Sequence, residues 1–543
     1  MTDGTFRRLL HGSGALPDRP DVEAAREVGE EENFFHWFLE FPEVFAEGGF
    51  DVILGNPPFL GGQKLSGTFG YTYLNWLRWA YDPAGAIDLV AYFFRRNFRL
   101  VNDEGAFGSI ATNSTAQGRI REGGLAVILK EGGEINYAVP SKPWPGMASL
   151  EVALLTIQKG EWDGEHLLEG EEVEEINSYL TDEEPLPDPF TLEENEGQSF
   201  QGSTVLGMGF TMEPKEAHRL IQKDEKNREV LFPYLNGSDL NTNPDQSPSR
   251  WVINFYDWPK SKAQVYEECF EIVEQEVKPE REEVAYSDKA REYWWRYERY
   301  RPELYGTIDG MDRVLVNPLN TKYMSFVFYE DDIVFSHALG VYALDGYDDF
   351  AVLQSNLHEQ WAWKNASTLK GDLRYTPSKV FEPFPFPRLD ENEEEALTEV
   401  GQAYYEQRQA VMEQMQLGLT KTYNLFHDPD AGPETVATAA QTELSAGEAE
   451  SITDQIADMR ALHARMDREV LTAYGWDDVD LEHDFHAVDF LPEDDRVRYT
   501  ISKSARKTVL RRLLELNFER HAEEADVEVE AVEGYEVLAE KSG

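Results

Sequence analysis

The sequence predicts an α/β protein: an open α/β sheet, then a mixed α+β region, then a helical tail. Three observations predict this. Helical and strand signals alternate between residues 31 and 160. Short strand patterns, turns and aromatics crowd residues 198–390. Apolar residues recur at helical spacing through residues 391–543. The expected domains are therefore 1–160, an acidic linker or excursion at 161–197, 198–390 and 391–543.

The elements follow in order. Residues 1–30 are polar and lack periodicity, whereas "ENFFHWFLEFPEVF" reads as an amphipathic helix. Phe50–Gly55 reads as a buried strand, and "AIDLVAYFFRRNFRLV" as a second helix. The turn "NDEG" leads into a strand over Ala106–Thr112, and "INYAVP" and "EVALLTIQK" are further strands. About four strands result, which is few for an open sheet. In the tail, Leu397, Val400, Tyr404, Val411 and Met415 fall on one helical stripe. Ile452, Ile456, Met459, Leu462, Met466 and Val470 form a second, and both are read as core contacts between long helices.

Composition bounds the class. With 543 residues the chain is expected to hold two to four domains, and 41% hydrophobic residues are enough to build real cores. No run of eighteen apolar residues and no apolar leader occurs, so a cytoplasmic protein without a membrane span is expected. Cys269 stands alone, which excludes disulfides and thiolate clusters within the chain and reads as a small buried apolar residue. No metal site is expected. The net charge of −53 is spread over every region rather than gathered in one tail. Taken alone it opposes nucleic-acid binding, but a halophile's solvated surface has the same pattern, because molar salt shrinks screening to a few ångströms.

The segment "GFDVILGNPPF" carries the sharpest signal. Two prolines fix their own backbone and bias the preceding residue toward extended geometry. Asn56 is thereby held at the carboxyl end of a strand, where open α/β sheets place ligands. Its amide oxygen beside the Pro57 carbonyl gives two acceptors in a rigid corner formed with Pro58, and Phe59 adds a flat face. Such a corner suits a neutral amino group on an aromatic ring, adenine for example.

Asn56-Pro57-Pro58-Phe59 resembles the fourth motif of the amino-methylating DNA methyltransferases, in which Asn at the first position is typical of adenine-N6 enzymes. "FHWFLEFPEVFAEGGFDVILGNPPFLGG", "AYFFRRNFRLVNDEGAFGSIATNSTAQGRIREGGL" and "LKGDLRYTPSKVFEPFPFP" resemble the methylase and target-recognition parts of type IIG restriction–modification enzymes. "LTKTYNLFHDP", "LHARMDREVLTAYGW" and "RRLLELNFER" resemble that family's helical tail, so the likeness covers nearly all the chain. It implies a partial class I Rossmann-like methyltransferase sheet followed by a target-recognition domain. It further implies double-stranded DNA as partner, S-adenosyl-L-methionine as cofactor and direct methyl transfer to adenine N6 without a metal. In that mechanism the adenine leaves the duplex and stacks on Phe59, while Asn56 and the Pro57 carbonyl accept the N6 hydrogens. Gly61 and Gly62 are expected to let the next loop move, or to form a plain turn.

Further candidates are less specific. Asn113, Arg119 and Arg121 in "SIATNSTAQGRIREGG" lie at a second strand end and suit the flipped base or phosphate; a capped strand-to-helix loop explains them equally. "YSDKAREYWWRYERYRPELY" interleaves aromatics with Arg, as DNA contact would, or as a solvated helix with an aromatic core face would. Within the resemblance, Arg299, Arg301 and Lys322 are the DNA contacts expected there. "RYTISKSARKTVLRR" holds the densest positive charge and reads as a backbone contact or an amphipathic helix.

One departure from the family matters. Relatives carry a glycine motif on the first strand that cradles the cofactor, but only 55 residues precede Asn56, and "LLHGSGALPD" follows no apolar strand. The cofactor-binding residues are thus unassigned. A second polypeptide supplying the N-terminal methyltransferase half, and a nuclease, is the expected complement; the alternative is a DNA-binding specificity subunit or an inactive fragment. An open sheet lacking its first strands would expose an apolar edge.

Overall fold

The computed structural model describes residues 35–525, except 84, 145–150, 183–185, 284–287, 331, 370–371, 489–490 and 492–494, with a few positions between 23 and 29. The glycine-containing segment at 9–18 lies outside the described residues. The chain divides into two compact units: Met1–Pro140 with Ala153–Asp182, and Ser141–Val152 with Glu183–Gly543.

The first unit is built on a six-stranded sheet of order β1-β2-β4-β3-β5-β6. Its strands are β1 (Phe50–Gly55), β2 (Val101–Thr112), β3 (Gly133–Pro143), β4 (Glu151–Lys159), β5 (His166–Leu168) and β6 (Glu171–Val173). Its main helices are α1 (Leu65–Tyr81), α2 (Leu89–Leu100), α3 (Gly118–Gly123) and α4 (Leu125–Lys130). Val90, Phe94 and Phe98 repeat every four residues on α2 and pack with Leu125 and Ile128 of α4 against Phe107, Ile135, Leu155 and Ile157 of the sheet. Two strands exceed the four expected, because β5 and β6 come from the acidic stretch read as a linker or excursion.

Two local readings need correction. The helix expected over residues 32–45 is, in its described part, two short turns, Trp37–Glu40 and Pro42–Ala46. Pro42 excludes helical geometry at Phe41, whose φ of −127° breaks the run. "NDEG" is not a turn before a strand but a bulge inside β2. The parallel register jumps from Phe50↔Val101 to Val52↔Ala106. Asn102 pins that bulge, donating through Nδ2 to Asp51 Oδ1 at 2.8 Å while its Oδ1 accepts from Glu104 N at 3.1 Å.

Among the described residues β1 has one strand neighbour, the parallel β2, and stands at the edge of the sheet. Ile53 points into the core, whereas Val52 and Leu54 are 60% and 78% exposed. The sequence reading of this strand as buried is thus wrong at those two positions. Apolar composition shows that a strand wants cover, and pairing decides whether it has any.

The second unit contains two four-stranded sheets. The strands of these two sheets are β7 (Ser199–Gln201), β8 (Thr211–Met212), β9 (Leu231–Leu235), β10 (Arg250–Ile253), β11 (Val314–Pro318), β12 (Val327–Tyr329), β13 (Val334–Phe335) and β14 (Leu339–Tyr342). The sheet orders are β13-β9-β10-β8 and β12-β11-β14-β7. Its longer helices include α5 (Glu267–Glu283), α6 (Asn356–Asn365), α7 (Glu391–Met415), α8 (Ala446–Ala473) and α9 (Lys503–Ala525). Leu315, Val341 and Phe326 share one apolar cluster with Trp361, Tyr404, Met459, Met466 and Leu513. The recognition strands and the helical tail therefore fold around a common core. Both helical stripes pack inward as their spacing predicts. Cys269 is fully buried, and burial pushes its thiol up to about 12, which suits an inert apolar role.

Candidate active site and nucleic-acid interface

β1 ends at Gly55, level with Ser109 of β2, so Asn56 leaves the carboxyl end of a parallel pair. Asn56, Pro58 and Phe59 are exposed while Pro57 is buried, and Phe59 keeps 37% of its surface in solvent. Neither the Asn56 amide nor the Pro57 carbonyl has a hydrogen-bond partner among the described residues. Two acceptors thus stand at a proline-stiffened corner beside a partly exposed aromatic ring, the set from which the sequence expects an amino-bearing ring to be held.

The loop after Phe59 is anchored. Leu60 N donates to Pro58 O at 3.1 Å, and Leu89 N donates to Leu60 O at 2.9 Å. Gly62 N donates to Asp88 Oδ1 at 2.9 Å. A Cβ on Gly62 would stand 2.6 Å from Ile87 O, so this glycine serves close backbone approach, not mobility. Of the two readings of Gly62, a moving loop or a plain turn, this favours the turn. Asp88 was missed in the sequence; an Asp just before an apolar helix signals an N-cap, and nothing in that signal points to a loop elsewhere.

Asn113 lies at the end of β2, three residues beyond the level of Asn56, roughly 10 Å along the strand direction. The structure thus brings both Asn residues to the same end of adjacent strands. Asn113 starts a short 3-10 turn, with Thr112 Oγ1 and Ser114 Oγ 2.8 Å apart beside it. Arg119 is exposed, its guanidinium close to Gly85. Arg121 is committed inward instead: Nη1 donates to Ser178 Oγ at 3.0 Å, and the guanidinium sits 3.9 Å from the Tyr179 ring centre.

In the second unit the predicted cations separate by role. Lys322 is engaged internally with Asp495 at 2.7 Å and Asn424 at 3.1 Å, which weakens its reading as a DNA contact. Arg301 adopts left-handed backbone geometry (φ 68°) and donates to Gln201 Oε1 at 3.2 Å. Arg299 is exposed, with its backbone paired to Thr204. Trp294, Trp295 and Tyr297 are buried core residues and not stacking platforms. The segment is held by Arg281, also missed in the sequence. Its buried guanidinium donates to the carbonyls of Val205, Leu206, Ala290, Trp294 and Arg296. Of the basic tail, Arg498 and Arg506 are buried and bonded to Tyr323 Oη and the Ala487 carbonyl. Among the described residues no cluster of metal-ligating side chains occurs, and no helix is long and apolar enough to cross a membrane.

An α/β sheet with an open acceptor corner at a strand end, joined in sequence to a strand-rich second unit, defines a class: a methylase domain followed by a recognition domain. Residues 14–123 match the Eco57I restriction-modification methylase family, and residues 198–388 match the target recognition domain of MmeI. The chain thus carries an Eco57I-type restriction–modification methylase domain, which includes Asn56–Phe59, and an MmeI-type target recognition domain, which includes Arg299, Arg301 and Lys322. No curated protein matches it by sequence. Among solved structures it is similar to the type IIL restriction–modification enzyme MmeI in complex with DNA. The TM-score is 0.60 at 17% identity, covering 86% of this chain and 57% of that one. The type IIG restriction endonuclease BpuSI also matches, with TM-score 0.26, 12% identity and coverage of 77% and 54%. The chain therefore spans a little over half the length of these two proteins.

Proposed function

We propose that the chain methylates DNA at the exocyclic N6 of adenine, with S-adenosyl-L-methionine as methyl donor, within a restriction–modification or phage-defence system. The observation that carries this is an exposed Asn56 amide beside a Pro57 carbonyl, neither with a hydrogen-bond partner among the described residues, inside a restriction–modification methylase domain. A flipped adenine stacks on Phe59, and the Asn56 amide oxygen and the Pro57 carbonyl each accept one N6 hydrogen. This holds the nitrogen lone pair along one direction, and orientation supplies most of the rate. When bound, S-adenosyl-L-methionine supplies the electrophilic methyl group. The described residues fit the acceptor side of this reaction only: no glycine-rich strand-to-helix turn precedes β1 among them, so no donor-binding residue is assigned. Arg299 and Arg119, exposed and cationic, are the better DNA-contact candidates, ahead of Arg121 and Lys322.

Expression in a host lacking adenine methylation, followed by sequencing for N6-methyladenine, tests the reading. A sequence-specific adenine mark that Asn56→Ala abolishes supports it. A mark on cytosine, or full activity in Asn56→Ala, defeats it.

A second reading has its own observation. Val52 and Leu54, exposed on a strand that stands at the sheet edge among the described residues, favour a second polypeptide that adds strands beside β1 and completes the donor side. Without it the chain acts as a DNA-binding specificity subunit. Calorimetry at high salt separates the two: micromolar binding of S-adenosyl-L-methionine by the chain alone removes the need for that polypeptide. The acidic surface fits a cytoplasm rich in salt, and unfolding followed against salt concentration tests it, a stability that does not rise with salt counting against a halophilic origin.

A further inference from the structure

α2 begins at Leu89 with Asp88 at its N-cap, φ −68° and ψ 151°. A carboxylate there ordinarily accepts from the N–H groups of its own first turn. Asp88 makes no such bond. Its Oδ1 instead accepts from Gly62 N, 26 residues earlier in the chain, at 2.9 Å. The adjacent Leu89 N to Leu60 O bond and the close approach of Gly62 to Ile87 complete the clamp. Asn56–Phe59 therefore spans two anchors: the β1–β2 pairing before it, and the Leu60–Gly62 clamp to α2 after it.

Resting on the methylation reading above, we infer that Asp88 is a positioning residue, which gives up capping α2 to fix the acceptor corner for the flipped base. Asn56 and Phe59 touch the base; Asp88 acts through the loop that carries them. A carboxylate accepting from a backbone N–H is a charge-assisted bond, stronger than the neutral bonds around it. Its loss lets the corner sample poses in which the two acceptors and the ring no longer converge.

The probe is a duplex carrying 2-aminopurine opposite an abasic site, read by fluorescence for base capture and by anisotropy for duplex affinity. Asp88→Ala is expected to weaken base capture by about tenfold with duplex affinity held. Asp88→Asn, which keeps the accepting oxygen, should stay within about threefold of the wild type. Hydrogen exchange should show faster exchange at Gly62 in Asp88→Ala while α2 stays protected; loss of protection along α2 as well would make Asp88 an ordinary cap and overturn the inference. Asn56→Ala separates the two failures. If it leaves base capture intact, or if the wild type shows none, the site reading falls and takes this inference with it. If Asn56→Ala abolishes capture and Asp88→Ala does not, the inference alone is wrong.

Discussion

The two units differ in where they spend their apolar residues. Of the sixteen large hydrophobic side chains that stand exposed among the described residues, thirteen lie between Phe35 and Trp162, in or around the first sheet. Trp79 is 82% exposed and Tyr71 73%, both on α1. The second unit, much the longer, has three: Met208, Val265 and Val497. It turns even its polar residues inward. Arg281 and Arg408 are among its largest fully buried side chains, and Asp467 is buried while accepting from Asn356 and His483. The recognition unit is thus folded upon itself, whereas the methylase unit offers a strand edge and an aromatic surface outward.

The contrast can be broken by mutation. Arg281→Met removes a guanidinium from five carbonyls, those of Val205, Ala290 and Trp294 in buried bonds and those of Leu206 and Arg296 in part-buried ones. It should cost the second unit about 3 kcal/mol or more in urea unfolding, because each carbonyl left without a donor is penalised. An unchanged midpoint would mean that this buried network is not what holds the unit together.

Acid should act on the same unit. His358 is fully buried, donating through Nδ1 to Leu353 O at 2.8 Å and accepting at Nε2 from Tyr375 Oη at 3.1 Å. Burial lowers its pKa from 6.5 to about 4, partly opposed by the Leu353 carbonyl. Between those values the unfolded chain binds the extra proton and the folded chain does not. The contribution is present above pH 6.5 and is lost as pH falls toward 4, about 3 kcal/mol in all. Comparison of the wild type with His358→Gln over that range isolates it; parallel stability curves would show that the imidazole does not titrate this way.

In the first unit the expected changes lie in binding more than in folding. Phe59→Ala should weaken capture of a flipped base by about 1–3 kcal/mol while leaving the melting temperature nearly fixed. An identical fluorescence response in both proteins would remove Phe59 from the site. The smallest effect belongs to the sheet edge: Leu54→Ala should change stability by less than about 0.5 kcal/mol, since the side chain is already in solvent. A larger loss in the isolated chain would show that the edge is covered in solution, and would erase the contrast between the units.

Much of this was legible in advance. The β1 strand, the second helix, the strands containing "INYAVP" and "EVALLTIQK", and the two tail stripes all appear where period and composition put them, since each signal is local to its own element. The placement of Asn56 just past the carboxyl end of β1 was legible for the same reason: two prolines restrict backbone geometry within four residues. Arg121 and Lys322 were not. A cation's letter is the same whether it faces phosphate or bonds to Ser178 or Asp495, and those partners lie 57 and 173 residues away.

The sequence by itself determined the alternation of elements, the burial of Cys269 and the placement of Asn56 at a strand end, because all three follow from side-chain type and short-range spacing. Tertiary structure alone decided that β1 stands at the sheet edge among the described residues, that the tail and recognition strands share a core, and that Asp88 holds Gly62 instead of capping its own helix. These depend on which distant segment arrives beside a residue. Pairing and packing are set by the sum of many weak contacts over the whole chain, and no single stretch carries that sum.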